Sequence, residues 1–388
     1  MEDSTPNPLP EAVPPAPEPL PPTMSPLMVA AVTTALGLAS FLTLGGVVQL
    51  LNAAFGIWFT EIFIFLAIPW VLLRLARYEP LGFTGVPSSG LAPAALGFGL
   101  GVANFFAFVV PIQFAAQSVA PQWLRDMFDG SRIFEGQNSL ELVVMLAGVS
   151  LAAPVCEEFF FRGVFQKGLL ATTLSRTSAV VITAVVFSAF HMDPVGFTAR
   201  VELGLLFGAL RLYTGSLWPG ILAHSANNMV SSILFLSARQ MGSEGADEEP
   251  ELQSVILLMI VGLGAMGLLL SIARKVPAFW GPKEDPSPVT RSAPSLMRLA
   301  LPWAVAATLS VGALVWLDNR GIRLSFVDMQ YQLPKLPKDA TDSQQQERRE
   351  LLRLREDVRK GRMPIEAYEE ERARQASKTS SESSPEKQ

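Results

Sequence analysis

Residues 140–162 read LELVVMLAGVSLAAPVCEEFFFR, and this run decides what kind of protein it belongs to. From Leu142 to Cys156 it carries no charge, and then Glu157, Glu158 and Arg162 follow within an otherwise apolar stretch. An apolar run of about 20 residues is long enough to cross a bilayer as a helix. Ionisable groups at membrane depth are costly to hold there, so by default they mark function. The run therefore predicts a membrane helix with chemistry built into it.

The rest of the chain agrees. Hydrophobic residues make up 49% and charged residues 17% of the sequence, too apolar a balance for an ordinary soluble protein. Apolar segments fall near 28–52, 57–73, 91–116, 140–160, 178–192, 199–213, 216–236, 252–273 and 299–317. The fifth and sixth are short for full spans, so the expectation is an all-α, polytopic membrane helical bundle of eight or nine spans. A Pro-rich lead over 1–26 lacks the basic start of a cleavable signal and reads as solvated polyproline. The membrane domain occupies 27–320, and a charged tail follows over 321–388. Within the tail, 346–375 reads as a small helical hairpin broken at Gly361 and restarted at Pro364, with Leu351, Leu354, Val358, Ile365 and Tyr368 able to meet. That hairpin is a place for self-association, although a solvated charged tail has the same composition. The Ser-rich end, 377–388, is expected to be disordered.

Connecting segments carry a charge bias. With the N-terminus in the cytoplasm, Arg74, Arg77, Lys167, Arg176, Arg211, Arg274, Lys275, Lys283, Arg291 and Arg298 share its side, against Arg125, Arg132, Arg200 and Arg239. The bias predicts a cytoplasmic N-terminus, and the expected location is the plasma (inner) membrane if the chain is bacterial. Nine spans then put the basic tail outside, which fits that bias poorly. The lone Cys156 excludes an intrachain disulfide and reads as packing. Gly-rich stretches at 97–101 and 262–267 read as close helix contacts, since no strand precedes them to make a nucleotide loop, and no nucleic-acid partner is expected.

Spacing assigns the polar residues. Positions four apart share a helix face, so Glu158 and Arg162 form an ion pair and Glu157 is left as the freer carboxylate, a general base for activating water. Phe187 and His191 are also four apart, which lets the ring fix the imidazole. His224 and Asn228 present an imidazole and a carboxamide on one face, two donors for a developing oxyanion, with Asn227 a weaker competitor. Only two histidines occur in the chain, and both stand in these clusters. Taken singly, each has a plain alternative as a packing residue. Glu61 and Glu202, also at membrane depth, either line a water path or bond to a neighbouring helix.

Glu-Glu-x-x-x-Arg, Phe-x-x-x-His and His-x-x-x-Asn, in that order on apolar helices, resemble the motifs of the CAAX prenyl protease and bacteriocin-processing family of intramembrane proteases, also called CPBP or Abi. Residues 204–208 and 211–220, GLLFG and RLYTGSLWPG, are similar to that family's lead into its third motif. Thr60-Glu61 and the run to Pro69 resemble its upstream helix. The resemblance covers 57–236 and implies a four-helix catalytic core over 140–236. By resemblance, Glu157 and His191 activate the attacking water, Glu158 and Arg162 brace the site, and His224 with Asn228 stabilises the oxyanion. Glu157, His191 and His224 can also be a zinc-ligand set with an open position, whereas the lack of His-Glu-x-x-His suits a metal-free, glutamate-activated water. The implied substrate is a protein or peptide at the lipid bilayer, prenylated or not. The alternative from a different class is a non-catalytic membrane immunity or partner-binding protein with the same fold.

Overall fold

A computed structural model describes residues 20–86, 90–128, 139–240, 251–280, 295–331 and 340–382, and the chain in them is helical. Among the described residues, six helices are long and apolar enough to cross a membrane: α1 (Pro26–Leu51), α2 (Ala53–Leu75), α3 (Leu91–Val119), α4 (Ser139–Leu170), then α8 (Leu252–Ala273) and α9 (Leu296–Leu317). Between α4 and α8 stand α5 (Arg176–Phe190), α6 (Phe197–Thr214) and α7 (Trp218–Gln240). The first of these is short, and the other two carry Arg200, Glu202, Arg211 and the His224 cluster among their apolar residues. The protein is a polytopic all-α bundle.

Five π-turns interrupt α1 to α4, at Phe41–Gly45, Thr60–Leu66, Phe105–Val109, Gly148–Ala152 and Phe159–Gln166. Each widens the helix by a residue without ending it. α3 lies against α7 with almost no separation. A Cβ on Gly97 would come within 2.3 Å of the Pro219 carbonyl oxygen, and one on Gly101 within 2.2 Å of that of Ala223. Gly262 lets α8 meet Ala107 in the same way, whereas Gly264 and Gly267 have nothing within 4 Å. The close-contact expectation therefore holds for three of these glycines and fails for the last two.

The two ends of the bundle can be told apart by what gathers there. At the first, Thr23 and Arg77 tie the last of the Pro-rich lead to the end of α2, through Thr23 N to the Ala76 carbonyl at 3.2 Å and Arg77 Nη1 to that of Pro21 at 3.1 Å. The first 19 residues lie outside the described set. At the second, the tail folds as three helices, α10 (Asn319–Gln330), α11 (Asp342–Arg359) and α12 (Ile365–Glu382), around Leu324, Val327, Leu351, Val358 and Tyr368. Arg359 fastens this unit to the bundle by pairing with Glu141 at the start of α4 and, at 2.7 Å, with Asp318. Asp318 also accepts from Asn52 at 3.1 Å in the α1–α2 turn.

One expectation about the tail is overturned. α12 continues through Glu382, so residues 377–382 of the Ser-rich end are helical. Arg374 pairs with Glu371 at 2.6 Å and Lys378 with Glu347 on α11 at 3.3 Å, which supports the extra turns that composition alone does not favour. Residues 383–388 lie outside the described set.

Candidate active site

α4 carries Glu157 and Glu158 into the centre of the bundle at the last turn before its second π-turn. Both carboxylates are buried. Glu158 Oε1 accepts from Arg162 Nη1 at 2.8 Å, the pair expected from their spacing, and both side chains are fully buried. Burying such a pair is costly, and its remaining polar atoms are only partly engaged: Glu158 Oε2 and Arg162 Nε have no hydrogen-bond partner among the described residues. Arg162 Nη2 donates to the Gly204 carbonyl at 3.2 Å, and the guanidinium carbon lies 4.4 Å from the Phe187 ring centre and 5.2 Å from that of Phe207. Two aromatic faces, from α5 and α6, and a backbone carbonyl from α6 thus replace part of the water this cation has lost.

His224 stands between the two glutamates. Its Nδ1 is 3.2 Å from Glu158 Oε1, and because a carboxylate only accepts, that nitrogen carries the hydrogen. Its Nε2 then faces Glu157 Oε2 at 3.8 Å. Phe207 stacks on the imidazole at 4.7 Å and 20°, and Phe187 meets it edge-on at 5.8 Å. Glu157 Oε2 is buried and has no hydrogen-bond partner among the described residues. It is the free carboxylate that spacing predicts, beside an imidazole whose other side is clamped.

His191 caps the C-terminal end of α5, where Met192 takes a left-handed φ of 52° to turn the chain. The Nδ1 of His191 donates to the Phe187 carbonyl at 3.0 Å, which leaves Nε2 with the lone pair in the neutral ring. The Phe187 ring packs at 5.0 Å, so the ring and the carbonyl together fix the imidazole. Among the described residues no hydrogen bond or ion pair joins His191 to Glu157; the histidine nearest Glu157 is His224. Asn228 donates Nδ2 to the Val149 carbonyl at 2.8 Å and accepts from Asn227 Nδ2 at 3.1 Å. Its carboxamide therefore holds α7 to the first π-turn of α4.

Two polar residues outside the motifs resolve differently. Glu202 accepts from Asn104 Nδ2 at 2.8 Å, a bond to a neighbouring helix. Glu61 is buried, and its Oε2 has no hydrogen-bond partner among the described residues. Cys156 is packed among Phe65, Phe160, Phe161, Phe187 and Phe190 behind the site. Phe207 was not singled out by spacing, although it sits in the Gly204–Gly208 stretch that carries the resemblance. Among the described residues no group of three His, Cys, Asp or Glu side chains is arranged to hold a metal ion. Glu157, His191 and His224 are not such a group among the described residues, and no hydrogen bond or ion pair joins His191 to Glu157.

Residues 139–230 match the family model described as type II CAAX prenyl endopeptidase Rce1-like. The match spans α4 to α7 as far as the His224 cluster, and it bears out the resemblance to the CAAX prenyl protease family. No curated protein and no solved structure matches the chain. With six apolar helices among the described residues, the protein is an integral membrane protein, and the segment over 139–230 is similar to CAAX-type peptidases.

Proposed function

We propose that this protein is an intramembrane endopeptidase that hydrolyses a peptide bond with a water activated by Glu157, without a step through a metal. The observation that carries the reading is the buried, unpartnered Glu157 Oε2 beside His224 Nε2. A water held between these atoms gives up a proton to Glu157 as its oxygen attacks the carbonyl carbon. His191, through the lone pair on Nε2, accepts the water's second hydrogen and aims it. His224, when protonated at Nε2, donates to the developing oxyanion, with Asn228 setting the position of α7. Glu158 and Arg162 hold the imidazole from behind, so that the site needs little rearrangement during the reaction. Glu157 then returns the proton to the leaving amine. The substrate is a membrane-associated protein, prenylated or not.

The test is cleavage by protein purified in detergent. Wild type should turn over a membrane-protein substrate found by comparing fragments between wild-type and Glu157→Ala cells. Glu157→Ala and His191→Ala should not, and unchanged turnover in both would sink the assignment. Retained activity after exhaustive chelation supports the metal-free route, and loss that zinc alone restores overturns it. A wild type that cleaves nothing but retains a partner in pull-down belongs to the immunity reading. The loop charges favour a cytoplasmic N-terminus, and labelling of single cysteines placed at residue 22 and in the tail tests it.

A further inference from the structure

α10 leaves the membrane part of the chain at a marked level. Trp316 and Leu317, the last residues of α9, are 81% and 74% exposed, and a tryptophan ending an apolar span sits where hydrocarbon gives way to headgroups. Asp318 breaks the helix there and accepts from Asn52, while two turns on Ser325 Oγ donates to the Leu51 carbonyl at 3.2 Å. Seven residues of helix cover about 10 Å, yet both ends of this stretch are tied to neighbouring residues of the α1–α2 turn. α10 therefore runs across the end of the bundle and does not lead away from it.

Its faces have different neighbours. Leu324 and Val327 enter the tail core, and Asp328 beside them bonds Tyr368 and Arg355. Another face carries Ile322, Phe326 and Met329, spaced as one apolar stripe. Ile322 packs on the cluster of Val48, Phe59 and Leu314, against the wall shared by α1, α2 and α9. Leu309 of α9 is 67% exposed, so that wall faces lipid. Phe326 and Met329 carry the stripe on past it and stay 56% and 36% exposed. At 100° per residue, Met329 lies about 60° round the helix from Phe326, and Arg323 about 60° the other way. The one ion pair of Arg323 among the described residues is with Glu366 at 3.9 Å, and both side chains are more than half exposed, which makes it a weak pair.

A stripe that starts packed on a lipid-facing wall and ends bare, with a cation one strip higher, has the layering of helices that lie in a membrane surface. Hydrocarbon takes the two apolar side chains, and an arginine keeps its stem with them while its head stays at phosphate level. A second copy of the chain is the poorer occupant. Two exposed side chains fall far short of the roughly 800 Å² per partner that a stable interface buries.

We propose that α10 is an in-plane membrane anchor: Phe326 and Met329 enter the acyl region beside α9, Arg323 binds a phospholipid phosphate, and the tail unit rides on the bilayer. This anchor stands whether or not the protein is a peptidase.

The test uses the full-length protein in nanodiscs of phosphatidylcholine and phosphatidylglycerol, with and without lipid carrying a doxyl quencher on its acyl chain. Phe326→Cys, Met329→Cys and, on the exposed surface of α12, Glu370→Cys are each labelled with the fluorophore NBD. The lone native Cys156 is buried, so the unsubstituted protein is the labelling blank. Labels at 326 and 329 should lose most of their emission to the doxyl lipid, and the label at 370 should keep its own. Arg323→Glu, which sets a like charge against the phosphate, should return part of the emission at 326, whereas Arg323→Lys should not. Unquenched labels at both 326 and 329, or equal quenching at all three positions, overturns the anchor. Disulfide-linked dimers of Phe326→Cys without lipid quenching overturn it in favour of a second copy. Emission at 326 indifferent to Arg323→Glu overturns the phosphate contact.

Discussion

His224 Nε2 stands 3.8 Å from Glu157 Oε2, while its Nδ1 is tied to Glu158 at 3.2 Å. Two groups that act on one water should fail together. Glu157→Gln and His224→Ala are each expected to lower kcat by about 10²–10⁴-fold, and the double variant by little more than the worse single one. The measurement is kcat for the four proteins of this cycle. Losses that multiply would mean the two residues act in separate steps.

Arg162 is a different kind of residue, touching Glu158, Gly204 and two ring faces. Arg162→Ala leaves the buried Glu158 carboxylate with His224 but without its counter-charge and should cost about 3–5 kcal/mol of stability. Arg162→Lys keeps the charge yet loses the second hydrogen bond and the flat contact with the rings, so it should also destabilise, though less. Thermal unfolding in detergent reports both. An unchanged midpoint for Arg162→Ala would remove the bracing role.

Contact between α3 and α7 rests on Gly97 and Gly101. Gly101→Leu pushes a side chain into the Ala223 backbone and should cost about 1–3 kcal/mol or more by forcing the helices apart. Gly264→Leu, where nothing lies within 4 Å, is the control and should be close to neutral. Equal effects at the two positions would contradict the packing described.

Much of this was legible in the sequence, and the limits have physical causes. Helix spacing brings Glu158 to Arg162 and fixes His191 against Phe187, because neighbours four apart meet whatever the tertiary fold. It cannot say which histidine approaches Glu157, since that depends on how α5 and α7 dock on α4. Position 224 won, and Asn228 turned toward Val149. Likewise, α11 begins at Asp342 and not near 346, for a reason written in the chain: Thr341 and Gln344 make a capping box. The third tail helix, α10, has no pattern separating it from α9 except Asp318, whose side chain caps it at Gly321.

The tail offers a prediction outside the membrane. Tyr368 donates its hydroxyl to Asp328 Oδ1 at 2.6 Å, and burial first, then the Asp328 charge, push its phenol above the ordinary value. A group whose folded value is raised supports the fold below its unfolded value and loses that support as pH rises through it. The tail unit should therefore weaken above about pH 10, the value for a free phenol. Tyr368→Phe should be less stable at pH 7 and show a shallower alkaline decline, followed by helical signal of the full-length protein. A decline of the same steepness in both would assign it to other groups.

The π-turn at Gly148–Ala152 sits one to two helical turns before Glu157. One extra residue in a helix rotates everything beyond it by about 100°. Deleting a single residue from 148–152 would leave the charge, the hydropathy and every motif of this chain intact, yet swing Glu157 away from His224 toward a different neighbour. The direction in which the carboxylate faces is thus set upstream, by a stretch of backbone that contains no ionisable group at all.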